Sequence, residues 1–224
     1  QRSIVTTNKR NLICPICWLR FSPDEIMHIA THPELLGDPV LGEDAHQRFL
    51  ATSIDESNRA LDSKGMPCTD IACPHCRYEL PMEFPDTSSR IVSIVGDTAA
   101  GMSTYLAVLA KILPATLFRE LNVVMQDAHP NNGNNLLNNL KNTLFNAKSP
   151  AEAFISKTEL EGEMYQRVIR FEREVLLPVP FIYSLANLHS KKRELLVFYD
   201  NTGLHFQPHI NINEQPGANH IAVA

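Results

Sequence analysis

Two copies of one short pattern, Cys14-Pro15-Ile16-Cys17 and Cys73-Pro74-His75-Cys76, constrain this chain more than any other feature. A Cys-x-x-Cys knuckle lets two thiolates approach one ion from a tight turn, and two such knuckles complete a tetrahedral Zn²⁺ site. A proline after each first cysteine pre-sets φ for that turn. Disulfides are the competing use. The odd fifth cysteine, Cys68, and the repeated form of the motif speak against them, as does the lack of a basic-then-apolar start resembling a secretion signal. A thioredoxin-like redox pair needs one motif in a βαβ context, not two matched knuckles. The expectation is one structural Zn²⁺ on Cys14, Cys17, Cys73 and Cys76.

Fifty-five residues separate Cys17 from Cys73, so the knuckles enclose a large insert. Ser22 and Pro23 have N-cap and first-turn character and predict a helix there. That helix would carry His28 and His32 four residues apart, a metal-ligand spacing also met on ordinary helix surfaces. Residues 1–89 hold eight Lys/Arg against thirteen Asp/Glu, while residues 90–224 hold twelve of each. The acidic balance of the first part argues against a nucleic-acid partner. No apolar run approaches the 18 or more residues of a membrane span, and the expected location is cytoplasmic.

Pro81, Pro85 and the polar run 86–90 predict a boundary between a zinc-ribbon-like module with a helical insert, residues 1–89, and a second domain, residues 90–224. Ile91 to Val95 (IVSIV) reads as a buried strand. It breaks at Gly96-Asp97-Thr98-Ala99-Ala100-Gly101-Met102-Ser103-Thr104, and a helix is predicted from Ser103 to about Leu113, stopped by Pro114. Strand, glycine-bounded loop and helix are the context of a phosphate-binding loop, and the spacing fits G-x-x-x-x-G-K-[ST] except that Met102 stands where lysine would reach the β/γ-phosphates. Backbone N–H groups and the helix N-terminus can still cradle phosphate, and Ser103 can still meet Mg²⁺. The missing charge predicts weak nucleotide binding and slow hydrolysis.

Leu176–Ala186 and Arg193–Tyr199 predict two strands in a hairpin, the second delivering Asp200-Asn201-Thr202-Gly203. These carriers (the C-P-x-C pairs, GDTAAGMST after IVSIV, and the hairpin leading to FYDNTG) resemble the translation-factor-like class of P-loop GTPases. More narrowly, they resemble zinc-ribbon-bearing GTPase-like proteins of bacterial conflict and antiviral-defence systems. The resemblance implies an α/β fold with a parallel sheet, incomplete at its C-terminal side. It implies GTP (or ATP) with Mg²⁺ wrapped by Gly96–Thr104 and Mg²⁺ held by Ser103 and Asp200. Asp200 and Gly203 would form a γ-phosphate-sensing turn, and protein partners would place the chain in a larger assembly. The chain ends before an N-K-x-D guanine-reading motif, so a longer protein, or a partner covering the sheet edge, is expected. A nucleotide-free adaptor and a zinc-ribbon nucleic-acid module are the alternatives.

Between these segments, residues 131–146 contain eight asparagines, with Leu136, Leu137, Leu140 and Leu144 at helical spacing, and predict one amphipathic helix. Leu160 to Val175 fits a helical stripe, although 167–175 also reads as extended. Arg167, Arg170 and Arg173 recur every three residues, as a charged face or as a cis-acting arginine. Thr143 and Thr158 are candidates for a first-switch threonine.

Overall fold

In a computed structural model, residues 11–97, 100–130, 133–149 and 163–201 are described. The chain divides into two compact units, Gln1–Pro85 and Asp86–Ala224.

The first unit is built from short strands. β1 (Leu12–Ile13) and β2 (Arg20–Phe21) form a hairpin around the first knuckle. The insert supplies β3 (Met27–Ile29), β4 (Leu36–Asp38), β5 (Gly42–His46), β6 (Arg48–Phe49), β7 (Ala60–Leu61) and β8 (Pro67–Cys68). β9 (Ile71–Ala72) and β10 (Glu79–Leu80) form the hairpin of the second knuckle, and β3 and β6 extend it into a sheet of order β10-β9-β3-β6.

The expected helical insert is therefore corrected. Among the described residues of this unit the only helix is a 3-10 turn over Pro23–Glu25. Ser22 and Glu25 make a capping box, with the Ser22 N–H donating to Glu25 Oε2 at 2.6 Å. The box closes a single turn as readily as a long helix, and pairing of Met27–Ile29 with β9 and β6 then takes the chain away. His28 lies on β3 against Phe49, and His32 lies in the bend beyond, so they do not share a helix face.

The second unit has a sheet of order β11-β16-β15-β12, made of β11 (Ser88–Ile94), β12 (Val123–Asp127), β15 (Pro180–Asn187) and β16 (Arg193–Asp200). The parallel-sheet expectation is corrected as well: β11 and β16 are parallel, while β15 pairs antiparallel with both β16 and β12. The fold is mixed α/β. One face packs Phe181, Tyr183, Leu196 and Phe198 against Leu106, Ala107 and Ala110 of α1 (Met102–Leu121) and Leu137 of α2 (Asn135–Phe145). Ile182, Leu195, Val197 and Tyr199, on the opposite face by strand alternation, are buried too. Burial on both faces explains why β15 and β16 read as continuous apolar runs.

Pro114 does not stop α1, which runs on to Leu121. A helical proline forfeits one N–H bond to the carbonyl four residues back. Leu113 packing on the core keeps the helix on its course past that site, and Thr116 Oγ1 donates to Ile112 O at 3.2 Å. Asn122, in the left-handed conformation at φ 52°, ends it. α2 falls inside the asparagine-rich segment. Asn134, fully buried at its start, donates to Asp127 Oδ1 (2.7 Å) and Ile182 O (2.8 Å) and accepts from the Ile182 N–H (2.9 Å), tying α2 to β12 and β15.

The helical stripe read from Leu160 to Val175 is corrected over its described part, which is a hairpin of β13 (Tyr165–Arg170) and β14 (Arg173–Pro178). Phe171 and Glu172 turn it with φ of 49° and 62°. Among the described residues no helix is long and apolar enough to cross a membrane.

Candidate metal centre and loop site

The four knuckle cysteines converge. Their sulfurs lie within 4.8 Å of one another, and all four side chains are buried. Cys14 Sγ is 3.8 Å from Cys76 Sγ, and Cys17 Sγ is 3.7 Å from Cys73 Sγ. Four Zn–S bonds of ~2.3 Å in a tetrahedron demand sulfur–sulfur edges of about 3.8 Å. The arrangement is therefore consistent with zinc. Burial, with the neighbouring sulfurs adding to it, pushes the Cys14 thiol well above its ordinary range, so four thiolates require a cation between them. All five cysteines are free of disulfides, and Cys68 is a buried thiol beside Thr31, outside the cluster.

The two knuckles are built alike, over ten residues rather than four. In each, the first cysteine's N–H donates to the carbonyl five residues on: Cys14 to Leu19 at 3.1 Å, and Cys73 to Tyr78 at 3.0 Å. Its carbonyl accepts from the residue after the second cysteine, Trp18 or Arg77, at 3.0 Å in both. Trp18 and Arg77 are left-handed, at φ 63° and 62°. Backbone N–H groups also point at sulfur, Ile16 to Cys14 Sγ at 3.3 Å and His75 to Cys73 Sγ at 3.4 Å, which favours thiolate. The repeat Leu12–Phe21 and Ile71–Leu80 was the signal available in the sequence beyond the C-P-x-C pairs, because Leu12↔Phe21 and Leu80↔Ile71 close the two hairpins in the same way.

Side chains around the cluster join the hairpins to the insert. His75 Nε2–H donates to Arg20 O at 3.1 Å, and Phe21 meets the His75 ring edge-on and stacks on Phe84. Arg77 Nη1 reaches the buried carboxylate of Asp38 at 3.1 Å, and Arg48 Nε donates to Arg77 O at 3.1 Å. Despite burial, the N–H groups of Val40 and Leu41 and the Arg77 guanidinium hold Asp38 below the usual carboxylate range. Asp62 similarly gathers the N–H groups of Thr31, His32, Lys64 and Met66.

The loop site lies in the second unit, at the carboxyl ends of two parallel strands. Ile94 at the end of β11 pairs with Asp200 at the end of β16, and Asn201 Nδ2 donates to Ile94 O at 3.2 Å. Asp200 is buried beside the point where the loop leaves β11. Gly96 follows, Ala100 N–H closes a turn on Asp97 O at 3.1 Å, and Gly101 at φ 78° turns the chain into α1. That left-handed conformation is one glycine adopts without strain. α1 begins at Met102, with Ser103 and Thr104 in its first turn, no acidic residue there and no side-chain cap. The Met102 side chain folds back onto Gly96: a Cβ placed on Gly96 would lie 3.1 Å from Met102 Sδ and 3.3 Å from Cγ. Thr98, Ala99 and Gly203 lie outside the described residues, as does Thr158.

Arg167 pairs with Glu174 across the β13–β14 hairpin at 2.6 Å, and Arg170 stands 5.7 Å over the Phe171 ring. Thr143 is on α2. Compared with protein-family models, curated proteins and solved structures, the chain matches none.

Proposed function

We propose that this chain is a nucleotide-binding, GTPase-like switch or scaffold subunit that carries a structural zinc module. The observation that carries the reading is the strand–loop–helix at Gly96–Thr104 set beside Asp200. The N-terminus of α1, whose N-cap is Gly101, and a glycine-bounded loop adjoin a buried carboxylate across a parallel strand pair. Ligands of open α/β sheets sit outside the carboxyl ends of strands, and helix N-termini favour phosphate. In this reading Gly96, Asp97, Ala100, Gly101 and the first turn of α1 hold phosphate oxygens. Ser103 and Asp200 hold Mg²⁺, which would neutralise phosphate charge when bound. GTP over ATP, a bacterial antiviral-defence setting, a cytoplasmic location and protein partners in a larger assembly rest on the family resemblance.

A second reading, a nucleotide-free adaptor with a degenerate loop, is favoured by Met102 lying on Gly96 where a phosphate-seeking lysine would extend. Titration of the whole chain with Mg·GTP and Mg·ATP separates the two. The nucleotide reading expects weak binding and negligible turnover. A charge-assisted phosphate contact is worth roughly 1.5–3 kcal/mol, so Met102→Lys should tighten binding by about ten- to a hundredfold. Asp200→Ala should abolish any hydrolysis thereby gained. No binding with either residue at position 102 selects the adaptor.

A further inference from the structure

We infer that Met102 is the loop's own occupant: its side chain lies over Gly96, and phosphate reaches the described loop residues only when that side chain swings out. The inference rests on the nucleotide reading above and specifies how that site is regulated. The carrying observation is the approach of Sδ and Cγ to Gly96, with the Ala100 side chain 3.4 Å from the same point, so thioether, loop glycine and loop alanine form one small apolar contact. Gly96 has no side chain to keep the methionine away, and Met102, at the first position of α1, is only half-buried.

An unbranched thioether adapts to such a gap and leaves it at modest cost. A ligand whose competent state is partly populated binds with its intrinsic affinity divided by that population. Position 102 thus weakens binding in two separable ways, through the absent charge and through self-occupancy. Met102→Lys changes both. Met102→Ala removes the occupant and adds no charge, while Met102→Leu keeps an apolar side chain that reaches as far as the Sδ position.

The test is Mg·GTP and Mg·ATP titration of the full chain and of M102A, M102L and M102K, with zinc content and circular dichroism confirming that each variant folds. A parallel NMR measurement follows the Met102 methyl group by its NOE to Gly96 Hα. Supporting results are M102A binding roughly three- to tenfold tighter than the parent, M102L binding as the parent does, and an NOE that disappears on nucleotide saturation. If M102K binds and M102A is no tighter than the parent, self-occupancy is overturned while the nucleotide reading stands. If neither the parent nor M102K nor M102A binds, the nucleotide reading fails and takes this inference with it. An NOE absent from the ligand-free protein overturns self-occupancy whatever the affinities are.

Discussion

The two units reach order by opposite means. In the first, described strands run two to five residues, too short to specify a fold by pairing alone, and the interior is organised around four sulfurs and two buried carboxylates, Asp38 and Asp62. In the second, β15 and β16 are eight residues each, and their aromatic and aliphatic side chains pack under α1 and α2. A metal centre fixes residues far apart in sequence with a handful of strong bonds, whereas an apolar core needs long periodic elements. The lesson is where each unit should be fragile: at its ligands in the first, at its close packing in the second.

The sharpest way to break this contrast is to remove one sulfur. Cys73→Ser leaves three thiolates, and structural zinc supplies about 10–16 kcal/mol of apparent binding free energy that is also folding free energy. The expected outcome is loss of the single zinc per chain in metal analysis and loss of amide protection through residues 11–85. Protection in β15 and β16 should persist. Retained zinc, or equal loss of protection in both units, would sink the contrast.

A smaller effect tests the second unit where the His129 ring closes on Gly133. A Cβ on Gly133 would fall 2.0–2.4 Å from the His129 ring, whose Nδ1 is hydrogen-bonded to Pro130 O at 2.6 Å. Gly133→Ala must therefore displace a half-buried imidazole or the start of α2, and should cost about 1–3 kcal/mol. Urea unfolding followed at α2 and β12 reports it, with zinc content unchanged. A cost below about 0.5 kcal/mol would mean that the His129 ring swings aside freely.

What could be read in the sequence divides along the same line. The ligand set was legible because spacing and residue type carry it, β15 and β16 were legible as continuous apolar runs, and α2 was legible by the helical spacing of its leucines. The insert misled because its signals are local. Ser22 and Glu25 cap a turn whatever follows, and only contact with β9 and β6 makes Met27–Ile29 a strand. The β13–β14 turn was invisible because Phe171 and Glu172 adopt positive φ without glycine or asparagine. β12 went unseen because Val123–Asp127 follows α1 without a proline or glycine break and, among the described residues, pairs only with the distant β15. The loop site was legible as a pattern, but the return of Met102 onto Gly96 was not, since side-chain direction at a helix start depends on the loop's course.

The smallest expected effect separates the units by their response to acid. Glu194 on β16 accepts from Arg90 Nε at 2.8 Å and from Lys192 Nζ at 2.8 Å, and Ser88 Oγ donates to it at 3.2 Å, so it bonds β16 to the start of β11. Hydrogen bonds from Arg90 and Lys192 draw its carboxyl down from the ordinary 4.5 to about 2. A depressed carboxylate contributes stability that is complete above its unfolded pKa and is lost as pH falls from about 4.5 towards 2. Arg90 and Lys192 are largely exposed and solvent screens them, so the contribution at neutral pH should be no more than about 1 kcal/mol. Glu194→Gln should accordingly cost little at pH 7 and flatten the pH dependence of β11 and β16 amide protection between pH 5 and 2. Salt at 0.5 M should mimic part of the neutral-pH loss. Thiolate ligands release zinc when they are protonated, so the first unit should lose structure in acid equally in parent and variant. A variant that shifts the acid loss of zinc, or leaves the slope at β11 and β16 unchanged, would show that Glu194 does not set the second unit's acid response.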